Sequence, residues 1–218
     1  MPRISRACGS GVRATMCPVA RFTTAELQTY RDREVPDLVG PHPRLVIVGI
    51  NPGLWTAAVQ THFARPGNRF YPALLEAGII DHPVSASDGM TDADRAMFTE
   101  RGIAITNLVR RATARADELT RAELVAGRER LEEFVARHRP RVVAVLGVTA
   151  YRSAFGHPRA HLGRQPDDLA GAELWVVPNP SGLNAHDTVA SLARAYAEPA
   201  RAAGVLSAAP RIEVTPTS

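Results

Sequence analysis

Three short runs of Val, Ile and Leu interrupt the chain, each bounded by Pro or Gly and none alternating with polar residues. They cover residues 45–50, 142–147 and 174–178, and a weaker fourth run covers residues 103–108. Strands that are apolar on both faces are buried on both faces, which is typical of parallel strands covered by helices. The four runs therefore predict a parallel sheet in the core.

Helical patterns separate these runs. The clearest covers residues 121–138, where a capping box of Thr120 and Glu123 opens a helix with one apolar face. That face carries Leu124, Gly127, Leu131, Phe134 and Val135. Shorter helices are expected at residues 23–33, 72–77 and 186–197. Because strands and helices alternate, we predict an α/β fold, a three-layer α/β/α arrangement with a short, mainly parallel central sheet.

The length of 218 residues, 45% of them hydrophobic, fits one domain. We expect that domain at residues 23–200, between a flexible basic extension at 1–22 and a C-terminal tail at 201–218. No stretch approaches the roughly 18 apolar residues of a membrane span, and the N-terminus lacks the apolar core of a signal peptide. We expect a cytoplasmic protein without a membrane partner.

Two features of the composition limit the chemistry. Cys8 and Cys17 are the only cysteines, so one chain cannot assemble a four-cysteine zinc or iron–sulfur site, and we expect no metal and no cofactor. All 26 basic residues are arginine, so no side-chain amine can form a Schiff base. The formal charge of +4 favours a polyanionic partner.

One polar side chain follows the first apolar run directly. Asn51 lies in the turn at residues 49–53, at the carboxyl end of a strand, where open α/β sheets place their chemistry. It is the first catalytic candidate. Residues 54–67 are interpreted as a long loop that walls the cleft over Asn51, and a second loop at residues 178–184 leaves the last strand and faces it.

Four motifs surround this predicted cleft. They are Gly-Ile-Asn-Pro-Gly at 49–53, Phe-Ala-Arg-Pro-Gly-Asn-Arg-Phe at 63–70, Gly-Ile-Ala-Ile-Thr-Asn-Leu-Val at 102–109 and Asn-Pro-Ser-Gly-Leu at 179–183. In this order the chain resembles the mismatch-specific uracil-DNA glycosylases, bacterial relatives of thymine-DNA glycosylase, from about residue 44 to about residue 197. The resemblance implies a uracil-DNA glycosylase-like fold and hydrolysis of the N-glycosidic bond of a uracil flipped out of duplex DNA.

The resemblance also implies roles for individual residues. Asn51 matches the residue that positions the hydrolytic water, and as a neutral amide it orients water without deprotonating it. Phe63 matches the aromatic residue that stacks on the base, and the main chain beside Ile50 matches the hydrogen bonds to the uracil edge. Thr56 lies where the family discriminates against the thymine methyl group, so we expect poor release of thymine. The substrate-binding residues expected in this way are Gly49, Ile50, Pro52, Gly53, Thr56, Phe63, Asn107 and Thr113.

The second loop matches the family's leaving-group and DNA contacts. Asn179 lies where other branches often carry a histidine, and its amide can donate to the negative charge that develops on the departing uracil. Ser181 matches a phosphate contact. Arg65, Arg69, Arg110 and Arg111 are further candidates for DNA contacts, since arginine pairs well with phosphate.

A wedge for the vacated base stack is expected at Gly182, Leu183 and Asn184. Main-chain groups of Gly182 and Asn184 match those that touch the widowed guanine, which would favour uracil opposite guanine. Relatives carry an arginine two residues after the leucine, whereas this chain has Ala185, followed by His186. Part of the wedge is therefore missing from the pattern.

Several carboxylates lie near the predicted cleft. Asp88, Asp92 and Asp94 form one group, and Asp117 follows the Arg110-Arg111 pair. One interpretation of the first group is a capped surface helix. The other is that Asp92, Asp94 or Asp117 supplies the base that Asn51 cannot be. The sequence leaves both interpretations open.

Taken together, the residues and the resemblance predict a monofunctional DNA glycosylase that prefers uracil opposite guanine, leaves an abasic site and initiates base excision repair. The expected partners are double-stranded DNA with uracil mismatches and, downstream, the enzymes that repair abasic sites, and a monomer is expected. One alternative is a broader uracil-DNA glycosylase of another branch. The other is a non-catalytic nucleic-acid binding module, although no G-x-G-x-x-G loop follows the first strand.

Overall fold

The central sheet forms from the apolar runs that the sequence marks. The computed structural model describes residues 22–182 and 187–207. Its strands are β1 (Leu45–Gly49), β2 (Ile103–Asn107), β3 (Val142–Leu146), β4 (Gly163–Arg164) and β5 (Glu173–Val177). They lie in the order β2-β1-β3-β5-β4. The four predicted runs pair in parallel, as expected, and the short β4 is an antiparallel edge strand.

Helices cover both faces of the sheet. Within the described residues the α-helices are α1 (Thr24–Gln28), α2 (Leu54–Val59), α3 (Phe70–Glu76), α4 (Asp92–Glu100), α5 (Arg121–His138), α6 (Val148–Phe155) and α7 (Val189–Ala202). Helices α3, α4 and α7 pack on the face that carries Leu45 and Ile47. Helices α5 and α6 pack on the face that carries Val46 and Val48. The predicted three-layer α/β/α arrangement is confirmed.

The longest helix forms as its sequence pattern predicts. α5 covers Arg121–His138, and Thr120 caps it through a reciprocal bond with Glu123. At Gly127 the helix comes so close to the segment after β2 that a Cβ atom there would lie 2.3 Å from the carbonyl oxygen of Leu108. Glycine is therefore what allows α5 to lie against this part of the sheet.

Local helix boundaries differ from the expectations in several places. Residues 54–67 are not a continuous loop, because Leu54–Val59 forms α2, which buries Leu54 and Ala57 against Val35 and ends at Gln60 in the left-handed conformation. The first helix stops at Gln28, five residues before the expected end. A run of six residues after Pro-Gly is too short to show a clear helical period.

The other helix boundaries also shift. α3 begins at Phe70, two residues before the expected start. α7 begins at Val189 because Thr188 caps it, and it continues through Pro199 to Ala202, beyond the expected end at residue 197. Across residues 22–182 and 187–207, none of the helices combines the length and apolar character needed to cross a membrane.

Candidate active site

The carboxamide of Asn51 is held at the carboxyl end of β1 by three acceptors. Its Nδ2 lies 2.7 Å from Oγ1 of Thr113 and 3.1 Å from the carbonyl oxygens of Pro52 and Arg111. The hydroxyl of Thr113 donates to the carbonyl oxygen of Arg115 at 2.7 Å, so its oxygen accepts from Asn51. The amino group of Asn51 must therefore face these acceptors.

This fixed orientation decides what Asn51 offers to the cleft. With the amino group turned towards Thr113, the carbonyl oxygen Oδ1 points the other way and presents an acceptor. Main-chain hydrogen bonds join the turn after β1 to the segment after β2. Thr113 N donates to Pro52 O at 3.1 Å, and Val109 N donates to Ile50 O at 2.9 Å. Gly53, the N-cap residue of α2, forms an isolated bridge with Thr113. The geometry suits the orientation of a water molecule.

Gly49 lies in close contact with an aromatic ring and a carboxamide. Gly49 and Asn107 are register partners at the ends of β1 and β2. A Cβ atom on Gly49 would lie 2.4 Å from Oδ1 of Asn107 and 3.1 Å from Cζ of Phe63. No larger residue fits there without movement of these groups. The structure thus brings Gly49, Phe63 and Asn107 together, next to Asn51.

Phe63 adopts an unusual backbone conformation to place its ring there. Its φ is +56°, in the left-handed region that bulky residues rarely occupy. Bonds on either side hold it: Tyr71 Oη donates to the carbonyl oxygen of His62 at 2.7 Å, and Ala64 N donates to Oγ1 of Thr56 at 3.3 Å. The ring packs against Phe70, with centroids 4.1 Å apart. Thr56 is buried and supports this loop.

His62 is a site residue that sequence reasoning missed. It is only 4% exposed, with Nε2 3.0 Å from the carbonyl oxygen of Pro36 and Nδ1 3.1 Å from Nδ2 of Asn107. Burial lowers the pKa of His62 below its ordinary value. The only sequence signal was its position directly before Phe63, the first residue of the second motif. Its partners Pro36 and Asn107 are distant in the chain.

The second loop lies against the segment that follows Phe63. Arg69 N donates to Pro180 O at 3.1 Å, and its guanidinium donates to the carbonyl oxygens of Ser181, at 2.7 Å, and Asp187. A Cβ on Gly182 would lie 3.1 Å from Gly67 O. Arg69, expected at DNA phosphates, thus ties the two loops together. The expected wedge residues Leu183 and Asn184, and the departures Ala185 and His186, lie outside the described residues.

Asn179 lies near the turn after β1. Gly147 follows β3, and a Cβ atom on it would lie 3.5 Å from Cδ1 of Ile50 and 3.8 Å from Nδ2 of Asn179. Oδ1 of Asn179 accepts a hydrogen bond from Ser181 N at 3.2 Å. The amino group of Asn179 therefore points away from Ser181 N. The strand ends of β1, β3 and β5 therefore bring Ile50 and Asn179 to one edge of the sheet.

The remaining arginine candidates differ in their surroundings. Arg111 donates hydrogen bonds to Glu123 at 2.5 Å and to Asp32 at 3.1 Å. The hydrogen bond from Arg111 is the main reason why the pKa of Glu123 is lowered to about 2. Arg110 pairs with Glu34 at 3.3 Å. Arg65 is exposed. Arg111 is therefore engaged within the protein, while its carbonyl oxygen helps to hold Asn51.

Two of the four carboxylate candidates, Asp94 and Asp117, have local side-chain partners. Asp94 caps α4 through Thr91, and although burial opposes the effect, hydrogen bonds from Thr91 and His82 lower the pKa of Asp94. The hydrogen bond from Arg115 lowers the pKa of Asp117. Asp88 and Asp92 are exposed, at the start of α4 or just before it. For Asp94, the capped-helix interpretation describes the contacts that are seen.

Two comparisons place this geometry among known proteins. Residues 36–199 match the family model described as the uracil DNA glycosylase superfamily. The chain is also similar in fold to the solution NMR structure of a putative uracil DNA glycosylase from Methanosarcina acetivorans, with a TM-score of 0.51 and 17% identity over 80% of this chain and 98% of that one. The family match covers most of the chain and every motif around the cleft. The chain therefore belongs to the uracil DNA glycosylase superfamily, whose members are hydrolases of DNA repair.

Proposed function

We propose that this protein is a mismatch-specific uracil-DNA glycosylase. It flips uracil, preferably opposite guanine, out of duplex DNA and hydrolyses its N-glycosidic bond. The observation that carries the proposal is the fixed carboxamide of Asn51, with Nδ2 bonded to Thr113 and Oδ1 turned away. In that orientation Oδ1 accepts a hydrogen bond from the attacking water, and this bond directs a lone pair of the water oxygen towards the sugar.

The same geometry indicates how the reaction proceeds. A neutral amide cannot take the proton of the water, so bond breaking runs ahead of water attack and the sugar develops positive charge before the nucleophile adds. The departing uracil carries negative charge, which the amide of Asn179 and main-chain N–H groups near Ile50 stabilise. This route gives a modest turnover unless a carboxylate such as Asp117 assists.

The proposed base pocket is formed by Phe63 and Asn107, which meet at Gly49. The ring of Phe63 forms one wall and stacks on the flipped base, while Oδ1 of Asn107 accepts from the N3–H of uracil. Both groups lie closer than van der Waals contact to the position that a Cβ atom on Gly49 would occupy, so the pocket depends on glycine there. A methyl group at C5 of the base would meet Thr56, which disfavours thymine.

The product is an abasic site in an intact strand. Strand cleavage by a glycosylase needs an amine nucleophile, and the chain contains no lysine. The positive charge and the exposed Arg65 favour binding to the DNA backbone. Double-stranded DNA is thus the proposed substrate, the enzyme acts as a monomer, and abasic-site repair enzymes act next.

A panel of four substrates tests the proposal. Uracil would be placed in one sequence context as single strand, U:A and U:G, alongside T:G, and base release would be measured in single-turnover reactions followed by alkali. We expect the fastest release from U:G and very slow release from T:G, with nicks only after alkali. Equal or faster release from single strands would favour the broader glycosylase, and binding without any base release would favour the non-catalytic module.

A further inference from the structure

The carboxamide of Asn107 is hydrogen-bonded to the ring of His62. The other hydrogen-bond partner of this ring, Pro36, decides which ring nitrogen carries the proton. His62 Nε2 lies 3.0 Å from the carbonyl oxygen of Pro36, which can only accept. The hydrogen must therefore be on Nε2. The ring is 4% exposed, and burial disfavours its charged form. A neutral ring protonated at Nε2 has a lone pair on Nδ1.

That lone pair selects one orientation of Asn107. Nδ1 of His62 lies 3.1 Å from the carboxamide and can only accept, so Asn107 must present its amino group. The carbonyl oxygen Oδ1 is then directed towards Gly49, where a Cβ atom would lie 2.4 Å from it. Rotating the carboxamide by half a turn would place two lone pairs against each other. The acceptor beside Gly49 thus depends on the tautomer of His62.

We infer that His62 is a specificity-determining positioning residue: it fixes the carboxamide of Asn107 so that the base pocket presents an acceptor and selects bases with an N–H group on the facing edge. Uracil carries such a group at N3. Cytosine carries a lone pair at N3 and would meet the lone pairs of Oδ1. The inference rests on the proposed function, because it places the flipped base against Phe63 and the carboxamide of Asn107.

The loop that carries His62 keeps this arrangement in place. The carbonyl oxygen of His62 accepts from Tyr71 Oη at 2.7 Å, and the next residue, Phe63, forms the stacking wall. The stacking residue and the residue that orients the hydrogen-bonding group are therefore neighbours in the chain. A shift of this loop would disturb both functions together, whereas a change in the His62 side chain would disturb only the second.

A pair of variants and a pair of substrates test the inference. His62→Met removes the acceptor, whereas His62→Gln keeps one acceptor and one donor in its carboxamide. Single-turnover release would be measured for uracil and for 3-deazauracil, which has C–H in place of N3–H, both opposite guanine. We expect the preference for uracil over 3-deazauracil to fall about tenfold in His62→Met and to be largely retained in His62→Gln.

A purely structural role for His62 would slow both substrates alike. An unchanged ratio in His62→Met would therefore overturn the inference, even if both rates fall. The ratio also cancels the different leaving abilities of the two bases, because each variant is compared with the wild type on the same substrates.

The ring tautomer is read independently by 15N NMR of the free protein. We expect a protonated Nε2 and an unprotonated Nδ1, and a proton on Nδ1 would overturn the inference in an active or an inactive protein. A wild type that releases no uracil from any duplex would contradict the proposed function alone. In that case the NMR result still decides whether His62 positions Asn107.

Discussion

Nδ2 of Asn51 lies 2.7 Å from Oγ1 of Thr113, and that hydroxyl lies 2.7 Å from the carbonyl oxygen of Arg115. The carbonyl oxygen of Arg115 can only accept, so the hydroxyl of Thr113 donates to it and accepts from Nδ2 of Asn51. The side chain expected to hold water is therefore oriented by a residue 62 positions later in the chain. The path makes Thr113 a positioning residue for Asn51.

Replacing Thr113 tests that path. Thr113→Val keeps the shape but removes the acceptor, so the carboxamide of Asn51 loses its shortest bond. We expect single-turnover uracil release to fall about ten- to a hundredfold with little change in DNA affinity. Thr113→Ser keeps the hydroxyl and should stay within a few-fold of the wild type. Full activity in Thr113→Val together with a loss in Thr113→Ser would show that the methyl packing matters instead of the bond.

Asn51→Ala asks whether the amide works alone. If Asn51 is the sole group that orients the water, we expect release to fall by about a hundred- to a thousandfold. Substantial residual release would indicate an assisting carboxylate. Adding Asp117→Asn, and separately Asp92→Asn, to the Asn51→Ala background would then identify it, since only the assisting residue lowers the residual rate further.

Gly49→Ala should displace Phe63 and Asn107 from their positions beside Gly49. Its Cβ atom would lie 2.4 Å from Oδ1 of Asn107, so groups must move, and we expect a loss of about 1–3 kcal/mol in the free energy of unfolding together with loss of base release. Gly53→Ala is the control for stability. Its φ is −77° and a Cβ atom there meets no other group within 4 Å, so urea denaturation should show a change below about 0.5 kcal/mol.

Arg69 and Arg65 should differ in the salt dependence of DNA binding. A lost phosphate contact lowers the slope of log affinity against log salt by about one. We expect that change for Arg65→Ala, because Arg65 is exposed. Arg69→Ala should keep the slope and lower the rate of release, because its guanidinium bonds to main-chain oxygens of the second loop. A lower slope for Arg69→Ala would make it a phosphate contact.

The stability of the protein should depend on pH through His62. Its pKa is lowered from 6.5 in the folded protein, mainly by burial, so the unfolded chain binds a proton that the folded protein does not. The free energy of unfolding should therefore fall as the pH drops below 6.5, by up to about 1.4 kcal/mol per unit, until the folded pKa is reached. Urea denaturation of His62→Gln should show a flatter profile between about pH 5 and 6.5. An unchanged profile would contradict the neutral ring.

The strands and α5 were predictable because their signals are local. A run such as residues 142–146 shows its burial in its own composition, and the capping box of Thr120 and Glu123 spans three residues. The first motif likewise placed Asn51 at a strand end. What it could not give is the direction of the amide, since the acceptors on Arg111 and Thr113 come from a distant segment.

The same limit explains the arginines. From their charge alone, Arg65, Arg69 and Arg111 are equally good candidates for DNA contacts. In the structure, however, Arg111 bonds to Glu123 and Arg69 bonds to carbonyl oxygens of the second loop. These partners are brought close only by the fold. His62 was missed for a related reason, because a histidine is an ordinary surface residue until tertiary packing buries it.

The backbone conformation of Phe63 has an energetic cost that the position of its ring requires. The left-handed backbone at this residue, with φ of +56°, costs a non-glycine residue about 1–2 kcal/mol, and glycine would avoid that cost. Glycine has no ring, however, so the easier backbone would remove the wall beside Gly49. Backbone preference and base recognition therefore oppose each other at this single position, and the packing of the ring against Phe70 offsets the cost of the left-handed backbone.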